Sequence, residues 1–296
     1  MSIVDRPGRG ISLRILSGLL FAGMFVSVKA VSDDVPLGQI VFFRSFFAIV
    51  PLIVFLWLRG EFPHGLATRR PGAHLLRASF GALALFGSFA AVAQLNLAEA
   101  ILISQLSPIL LAIGATVFLS ERITRWRIGG LAFGFAGVIV LVWPELFSPV
   151  QESDRLMGYI IGIAAAILTA LALIMVRSLS KTESPGAIAL YFVLASMVGG
   201  LATLPWGWGA PNGWTLWFLI LSGLFGGFAH IAMTLAFRYA EASRLAPFEY
   251  VALLWPLLAD VFIFRLSLST SFVLAAPLIL AGAGIAAVES KNKTNR

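Results

Sequence analysis

Ten apolar runs divide this chain, and most are long enough to cross the hydrocarbon core of a bilayer as an α-helix, which takes about 20 residues. Apolar residues make up 59% of the chain and charged residues 12%, against about 45–50% and about 25% in an average soluble domain. The sequence therefore predicts an all-α membrane protein with ten transmembrane helices and no separate soluble domain. The runs lie near 15–31, 37–58, 78–95, 100–119, 128–143, 157–176, 187–205, 214–236, 247–264 and 270–288.

The basic residues between these runs predict the orientation of the chain. With the N-terminus placed inside, 17 Lys and Arg residues fall in cytoplasmic segments and two, Arg155 and Arg265, in external ones. Positive residues are retained on the cytoplasmic side of a membrane. We therefore predict a multi-pass protein of a bacterial-type inner (plasma) membrane with both termini in the cytoplasm. Because the basic residues are scattered through short loops, the net charge of +7 does not indicate a nucleic-acid partner.

The chain repeats itself weakly at an offset of about 148 residues, where residues 104–142 align with residues 251–288 and Pro108 matches Pro256. Each half holds five runs, and because five is odd the second copy enters the membrane from the opposite side. The sequence thus predicts two inverted five-helix repeats, residues 1–147 and 148–296. Inverted repeats place a substrate site between them, near the middle of the membrane.

Residues 106–141, LSPILLAIGATVFLSERITRWRIGGLAFGFAGVIVL, resemble the signature of the EamA-type carriers of the drug/metabolite transporter superfamily. The resemblance implies that Pro108 and Pro256 distort central helices and that Glu121 with Arg122 forms a cytoplasmic loop pair. It also implies that helices 1, 3, 4, 6, 8 and 9 line the cavity. The second half departs from the pattern, because FRLSLST at 264–270 lacks the glutamate.

Arg44 is the charge that the predicted membrane accommodates least easily. It stands among Phe, Ile and Val residues, seven or eight residues into the second run, with no acidic residue between Asp34 and Glu61. A charge near the middle of a bilayer costs about 2.5–3.5 kcal/mol on insertion scales. Arg44 is thus either a docking point for a substrate carboxylate, or a structural residue that snorkels or pairs with an aspartate. Its candidate partners are Asp33, Asp34 and Asp260.

His230 and Glu249 lie at matching depth in the eighth and ninth runs. Histidine titrates near physiological pH, and burial moves a carboxylate toward the same range. The pair could bind and release a proton during transport, or it could form an interhelical hydrogen bond. Proton coupling is therefore a hypothesis rather than a requirement of the sequence.

Trp255, next to Pro256 and close to Tyr250, is the one tryptophan that lies in the middle of a run. The proline leaves backbone carbonyls without partners, and inside a membrane such groups must face protein or a water-filled cavity. Trp255 and Tyr250 could form an aromatic wall for an organic substrate, or they could pack against lipid or another helix.

Gln94 and Gln105 carry side-chain amides in the third and fourth runs. An amide without a partner in hydrocarbon is costly. We expect both residues to line the cavity or to join helices.

Several classes of function lack their motifs in this sequence. It has no GxxxxGK[ST] phosphate loop, no HExxH and no cysteine, and no nucleophile is framed by partners. We therefore expect a protein that is not an enzyme and that uses no cofactor and no metal.

The prediction for function is a secondary transporter of small organic metabolites by alternating access. The first choice is an exporter of amino acids, including aromatic or bulky neutral ones, because Arg44, Tyr250 and Trp255 suit a zwitterion with an apolar side chain. The alternative is an uptake carrier for S-adenosylmethionine or a related metabolite, favoured by the negative charges of Glu249 and Asp260. A membrane-embedded transferase is a remote third reading.

Overall fold

The computed structural model describes residues 7–68, 70–107, 110, 125–146, 153–179, 183–239 and 254–293. These residues form ten α-helices and no strand. In chain order the helices are α1 (Pro7–Lys29), α2 (Leu37–Leu58), α3 (Pro71–Gln94), α4 (Leu97–Ser104), α5 (Arg125–Leu146), α6 (Ser153–Leu179), α7 (Pro185–Leu201), α8 (Gly213–Tyr239), α9 (Leu254–Phe262) and α10 (Thr270–Lys293).

Each of the ten predicted runs overlaps one of these helices, so the all-α prediction is confirmed. By length and composition, five helices could span a bilayer: α1, α2, α3, α6 and α8. The remaining described helices include shorter apolar stretches, such as Gly186–Leu201. The crossing of the membrane by all ten, and the duplication into residues 1–147 and 148–296, stay predictions.

Two helices begin well before the apolar runs that predicted them. α1 begins at Pro7 rather than near residue 15, and α3 begins at Pro71 rather than near residue 78. Proline suits the first turn of a helix, where its missing N–H would have no helical partner. The apolar run marks where a helix meets lipid, whereas the proline marks where the helix starts. Residues 71–77, predicted as loop, are therefore helical.

The most extensive contacts between helices join the two halves of the chain. α1 packs against α8, α3 against α6, α5 against α10, and α2 against both α7 and α8. Glycines allow two of these pairs to approach until their backbones touch. A Cβ at Gly200 of α7 would lie 2.6 Å from Phe42 N of α2, and a Cβ at Gly282 of α10 would lie 2.5 Å from Gly130 O of α5.

Contacts between helix ends define two sides of the bundle, which we call the Lys29 side and the Arg59 side. On the Lys29 side, the end of α1 contacts the end of α3, and the side chain of Gln39 in α2 donates a hydrogen bond to the carbonyl of Gly209. On the Arg59 side, Ser184 at the start of α7 donates to Glu61, just beyond the end of α2. α2 thus runs from the Lys29 side to the Arg59 side, opposite in direction to α1, α3 and α7.

Candidate functional site

Arg44 lies inside the protein, with 1% of its surface exposed. Its Nη2 donates a hydrogen bond of 3.3 Å to Nε2 of His230, which belongs to α8 and so to the other half of the chain. Its Nε and Nη1 are buried and have no hydrogen-bond partner among the described residues. A Cβ at Gly226 would lie 3.1 Å from Nε, so a glycine at that position makes room for the guanidinium.

Arg77 of α3 approaches the same region from a different helix. Its guanidinium carbon lies 4.6 Å from the ring centroid of Phe192, and that of Arg44 lies 5.8 Å from the same centroid. Nε and Nη1 of Arg77 are buried without a hydrogen-bond partner in the described part of the chain. Arg44, Arg77, Phe192 and His230 together form what we call the guanidinium cluster.

His230 is held between aromatic rings as well as against Arg44. Its ring meets Phe21 edge-on at 5.1 Å between centroids, and Phe192 edge-on at 6.0 Å. A guanidinium can only donate, so Nε2 of His230 accepts the hydrogen bond and the imidazole is neutral in this arrangement. A proton on Nε2 and the hydrogen bond from Arg44 exclude one another.

Of the alternatives considered for Arg44, pairing with Asp33, Asp34 or Asp260 is not what the structure shows. Asp33 and Asp34 are exposed, and Asp260 accepts hydrogen bonds from the backbone of α4 instead. The physical reason is that the carboxylate of Asp260 meets the first turn of a helix, whose N–H groups have no partner within the helix. Arg44 keeps a histidine neighbour, and two of its nitrogens, Nε and Nη1, find no hydrogen-bond partner among the described residues.

Asp260 belongs to a polar group on the Lys29 side that joins the two halves. Its two oxygens accept from Leu97 N at 3.1 Å and from Ala98 N at 2.6 Å, which caps α4 with a negative charge. Glu99 of α4 accepts from Arg155 Nη2 at 3.1 Å and from Ser269 Oγ at 3.2 Å. Asp260, Arg155 and Ser269 belong to the second half, while the groups that they contact belong to the first.

Lys29 completes this group from the end of α1. Its Nζ donates to the carbonyls of Val92 at 2.8 Å, Ala93 at 3.3 Å and Leu95 at 3.0 Å, where α3 ends and its last carbonyls have no helical partner. A cation therefore caps the end of α3 and an anion caps the start of α4. Lys29, Glu99, Arg155, Asp260 and Ser269 are called the Lys29 closure below.

A second set of contacts joins the halves on the Arg59 side. Arg70 donates to the carbonyl of Ser178 at 3.1 Å and to its hydroxyl at 3.0 Å. Ser184 donates to Glu61 at 2.9 Å. Both sides of the bundle thus carry hydrogen bonds between the first and the second half.

A cavity of about 20 Å³ lies between these two sets of contacts. Such a volume holds about one water molecule. Three polar residues from the predicted apolar runs, Ser88, Ser104 and Thr169, line the cavity. Phe25, which also lines it, lies one helical turn, about 6 Å, further along α1 than Phe21, the residue that contacts His230. It is lined by Phe25, Ser88, Ala91, Val92, Ala100, Ile101, Ser104, Gly162, Ala166 and Thr169.

The other predicted site residues are placed as follows. Gln94 is the last residue of α3, and its Oε1 is buried without a hydrogen-bond partner among the described residues. Gln105 follows the last residue of α4 and is half-buried. Trp255 and Pro256 lie in the first turn of α9, with Nε1 of Trp255 buried and also without a partner in the described part. Pro108, Glu121, Arg122, Glu249 and Tyr250 lie outside the described residues.

Sequence reasoning missed Arg77, Phe192 and Lys29 as parts of these groups. Arg77 was counted among the residues of a cytoplasmic loop, although Pro71 six positions earlier carries the signal for a helix start. Phe192 is one of 24 phenylalanines, and nothing in the sequence distinguishes it. Lys29 lies near the end of the first apolar run, and nothing in the sequence indicates which groups it contacts.

Comparison with known proteins gives a family and several relatives. Residues 8–143 match the EamA-like transporter family. The chain is 29% identical to the pseudopaline exporter CntI of Pseudomonas aeruginosa, over 86% of this chain and 87% of that protein. It is also 29% identical to an S-adenosylmethionine uptake transporter of Rickettsia felis, over 76% and 74%. A chain of known crystal structure shares the fold with a TM-score of 0.67 at 19% identity, over 93% and 96%.

Proposed function

We propose that the chain is a secondary carrier working by alternating access, because residues 8–143 match the EamA-like transporter family and the described helices include five that could span a bilayer. In such a carrier the two halves move against each other and open a shared site to one side of the membrane at a time. The relatives are named as transporters of small molecules, which points to a transporter rather than an enzyme. The mechanism and the substrate class are our proposals.

The observation that carries the mechanism is that hydrogen bonds between the halves occur at both ends of the bundle. The Lys29 closure joins them on one side, and the contacts of Arg70 with Ser178 and of Ser184 with Glu61 join them on the other. The cavity between these contacts is too small for an organic solute. Binding from either side would therefore require one set of contacts to break, and alternating access would break the two sets in turn.

The pairing of the helices supports the inverted duplication on which this mechanism depends. Exchanging α1–α5 for α6–α10 turns the α1–α8 pair into α6–α3 and the α2–α8 pair into α7–α3, both of which also pack together. The α2–α7, α4–α9 and α5–α10 pairs become themselves. A duplicated chain with opposed halves would give this pattern. We further propose that the Lys29 side faces outward, as the distribution of basic residues predicts.

Amino acids are the substrate class that we propose first, with bulky neutral and aromatic ones included, and export is the proposed direction. The buried guanidinium of Arg44 would attract the carboxylate of such a solute, and Phe21 and Phe192 supply apolar surface near it. The alternative is uptake of S-adenosylmethionine, which the relative from Rickettsia felis supports. Its sulfonium would lie unfavourably close to Arg44.

Flux into proteoliposomes tests this proposal. The purified protein is expected to give saturable uptake of a labelled amino acid, and an excess of a bulky neutral amino acid should compete with it. Competition by S-adenosylmethionine alone would favour the alternative. The absence of saturable flux for every amino acid and for S-adenosylmethionine would overturn the proposed function.

A disulfide between the halves should stop transport reversibly. The Cβ of Ala91 in α3 lies 3.5 Å from a Cβ built at Gly162 in α6, a separation that suits a disulfide. Because the chain has no cysteine, the Ala91→Cys/Gly162→Cys protein can form only this bridge within one molecule. We expect oxidation to reduce flux at least about 10-fold, since a bridged pair cannot separate, and a reductant to restore it. Each single-cysteine variant serves as a control, and undiminished flux in the bridged protein would contradict the mechanism.

Proton coupling is proposed through His230 and Glu249. Protonating His230 would release Arg44 Nη2 from its acceptor, which links a proton to the freedom of the guanidinium. His230→Ala and Glu249→Gln are expected to weaken the effect of a proton gradient on flux at least several-fold, whereas the gradient should drive flux by the unsubstituted protein. An equal response of both variants and the unsubstituted protein to the gradient would reject coupling by this pair.

A further inference from the structure

We infer that the guanidinium cluster is a binding site for two anionic groups, so that the transported solute carries two carboxylates on one small organic skeleton. Arg44 would bind one carboxylate and Arg77 the other, and the guanidiniums of both residues contact the Phe192 ring. This inference rests on the proposed function and narrows its substrate class from amino acids in general to amino acids and related acids with a second acidic group.

The first support is the number of hydrogen-bond donors that the cluster leaves unused. Nε and Nη1 of Arg44, and Nε and Nη1 of Arg77, are buried and have no hydrogen-bond partner among the described residues. Guanidinium N–H groups form strong, charge-assisted hydrogen bonds with carboxylates. Each arginine thus keeps two nitrogens, on different edges of its guanidinium, that could donate to an incoming anion.

The second support is the balance of charge around these donors. Within the described part of the chain, neither Arg44 nor Arg77 forms an ion pair with an acidic side chain. His230, the hydrogen-bond partner of Arg44, is neutral in this arrangement. Two positive charges therefore meet around one phenylalanine ring, which attracts each cation to its face but neutralises neither. A solute with two carboxylates would supply one anion to each guanidinium, whereas a neutral amino acid supplies one carboxylate and adds an ammonium of its own.

The third support is that the cluster is built from both halves. Arg44 and Arg77 come from α2 and α3 of the first half, while Phe192 and His230 come from α7 and α8 of the second. A Cβ at Gly226 would crowd Arg44, and a Cβ at Gly81 would overlap Nη1 of Arg77, so glycines at these positions create the space that both guanidiniums occupy. The distances of 5.8 Å and 4.6 Å to one ring centroid limit the separation of the guanidinium carbons to the sum of the two. A solute with its carboxylates a few bonds apart would reach both.

The test compares solutes that differ by one negative charge. The probes are L-glutamate with L-glutamine, glutarate with its monoamide, and phenylsuccinate with 3-phenylpropionate. Binding to the full chain in detergent is measured by the rise in the midpoint of thermal unfolding with solute concentration. We expect the member with two carboxylates to bind about 10-fold to 100-fold more tightly in at least one pair, the range expected for one further charge-assisted contact.

Two variants of Arg77 test whether this residue binds the second carboxylate of the solute. Arg77→Gln should make the affinities for the two members of each pair nearly equal. It should change the affinity for the member that lacks the second carboxylate by no more than about threefold. Arg77→Lys, which keeps the charge but loses the two-donor geometry, should retain part of the preference and covers the case in which Arg77→Gln fails to fold. The control is Arg59→Gln, because Arg59 also contacts a phenylalanine ring, at 5.3 Å, but pairs with Glu61 near the end of α2.

Three outcomes would overturn the inference. The first is equal binding of the two members in every pair, and the second is no binding by any probe with two carboxylates. The third is a preference for the second carboxylate that both Arg77 variants leave intact. If proteoliposomes still carry neutral amino acids in those cases, the proposed carrier function stands and only its narrowed substrate class fails. If no flux of any solute is found, the carrier function itself fails.

Discussion

The Asp260→Ala substitution is expected to open the Lys29 side of the protein. It would leave the N–H groups of Leu97 and Ala98 buried without acceptors, at about 1–3 kcal/mol each, and would remove the negative charge at the start of α4. Both losses raise the free energy of the closed form, in which Asp260 contacts α4, more than the free energy of the open form. The equilibrium between open and closed forms should therefore move toward the open form by one or more orders of magnitude.

Chemical labelling measures this shift. Ala100 lines the cavity behind the closure, and in a chain without cysteine the Ala100→Cys substitution provides a single reactive thiol. A membrane-impermeant maleimide added from outside should react at least about 10-fold faster when Asp260→Ala is also present. The matched control is Asp34→Ala, which removes an exposed carboxylate on the same side. Equal labelling rates with and without Asp260→Ala would show that this carboxylate does not hold the closure.

The Gly200→Ala substitution is expected to separate α2 from α7 and to destabilise the whole protein. The added Cβ would lie 2.6 Å from Phe42 N and 2.8 Å from Gly38 O. These are backbone atoms, which cannot turn aside as a side chain can, so the helices must shift. Overpacking of this kind typically costs about 1–3 kcal/mol. We expect the midpoint of thermal unfolding in detergent to fall by several degrees and the yield of folded protein to fall with it.

The neighbouring glycine supplies the comparison for this prediction. A Cβ at Gly199 would meet only Phe86, at 3.5 Å, which is ordinary van der Waals contact. Gly199→Ala should therefore be neutral or slightly stabilising, because alanine favours the helix over glycine by about 0.5–1 kcal/mol. Similar unfolding midpoints for the two variants would contradict the close approach of α2 and α7.

The two groups of polar residues suggest two different roles. The Lys29 closure would hold the halves together, and the guanidinium cluster would bind the solute. In the Lys29 closure the charges meet opposite charges or backbone groups, so the closed form satisfies them. In the guanidinium cluster two positive charges keep donors that no described residue accepts from, so a negatively charged solute would satisfy them. This contrast underlies our assignment of the closure to conformation and of the cluster to binding.

The positions of the helices could be predicted because they depend on residues that are neighbours in the chain. An apolar run of about 20 residues identifies a segment that lipid accommodates, and all ten predicted runs overlap a helix. The starts of α1 and α3 were placed too late because hydropathy responds to lipid exposure and not to the proline at which each helix begins. Extending α3 back to Pro71 would have brought Arg77 into the predicted helix.

The sequence by itself determined that this chain resides in a membrane, that the regular secondary structure of the described residues is helical, and that Arg44 and His230 are unusual there. Length, hydropathy and isolated charge are local properties, and they need no knowledge of distant residues. Only the tertiary structure decided that Arg44 meets His230, 186 positions away, and that Asp260 caps α4, 163 positions away. These pairings depend on how the helices cross, and in a chain whose helices are apolar on nearly every face the sequence leaves the crossing undetermined.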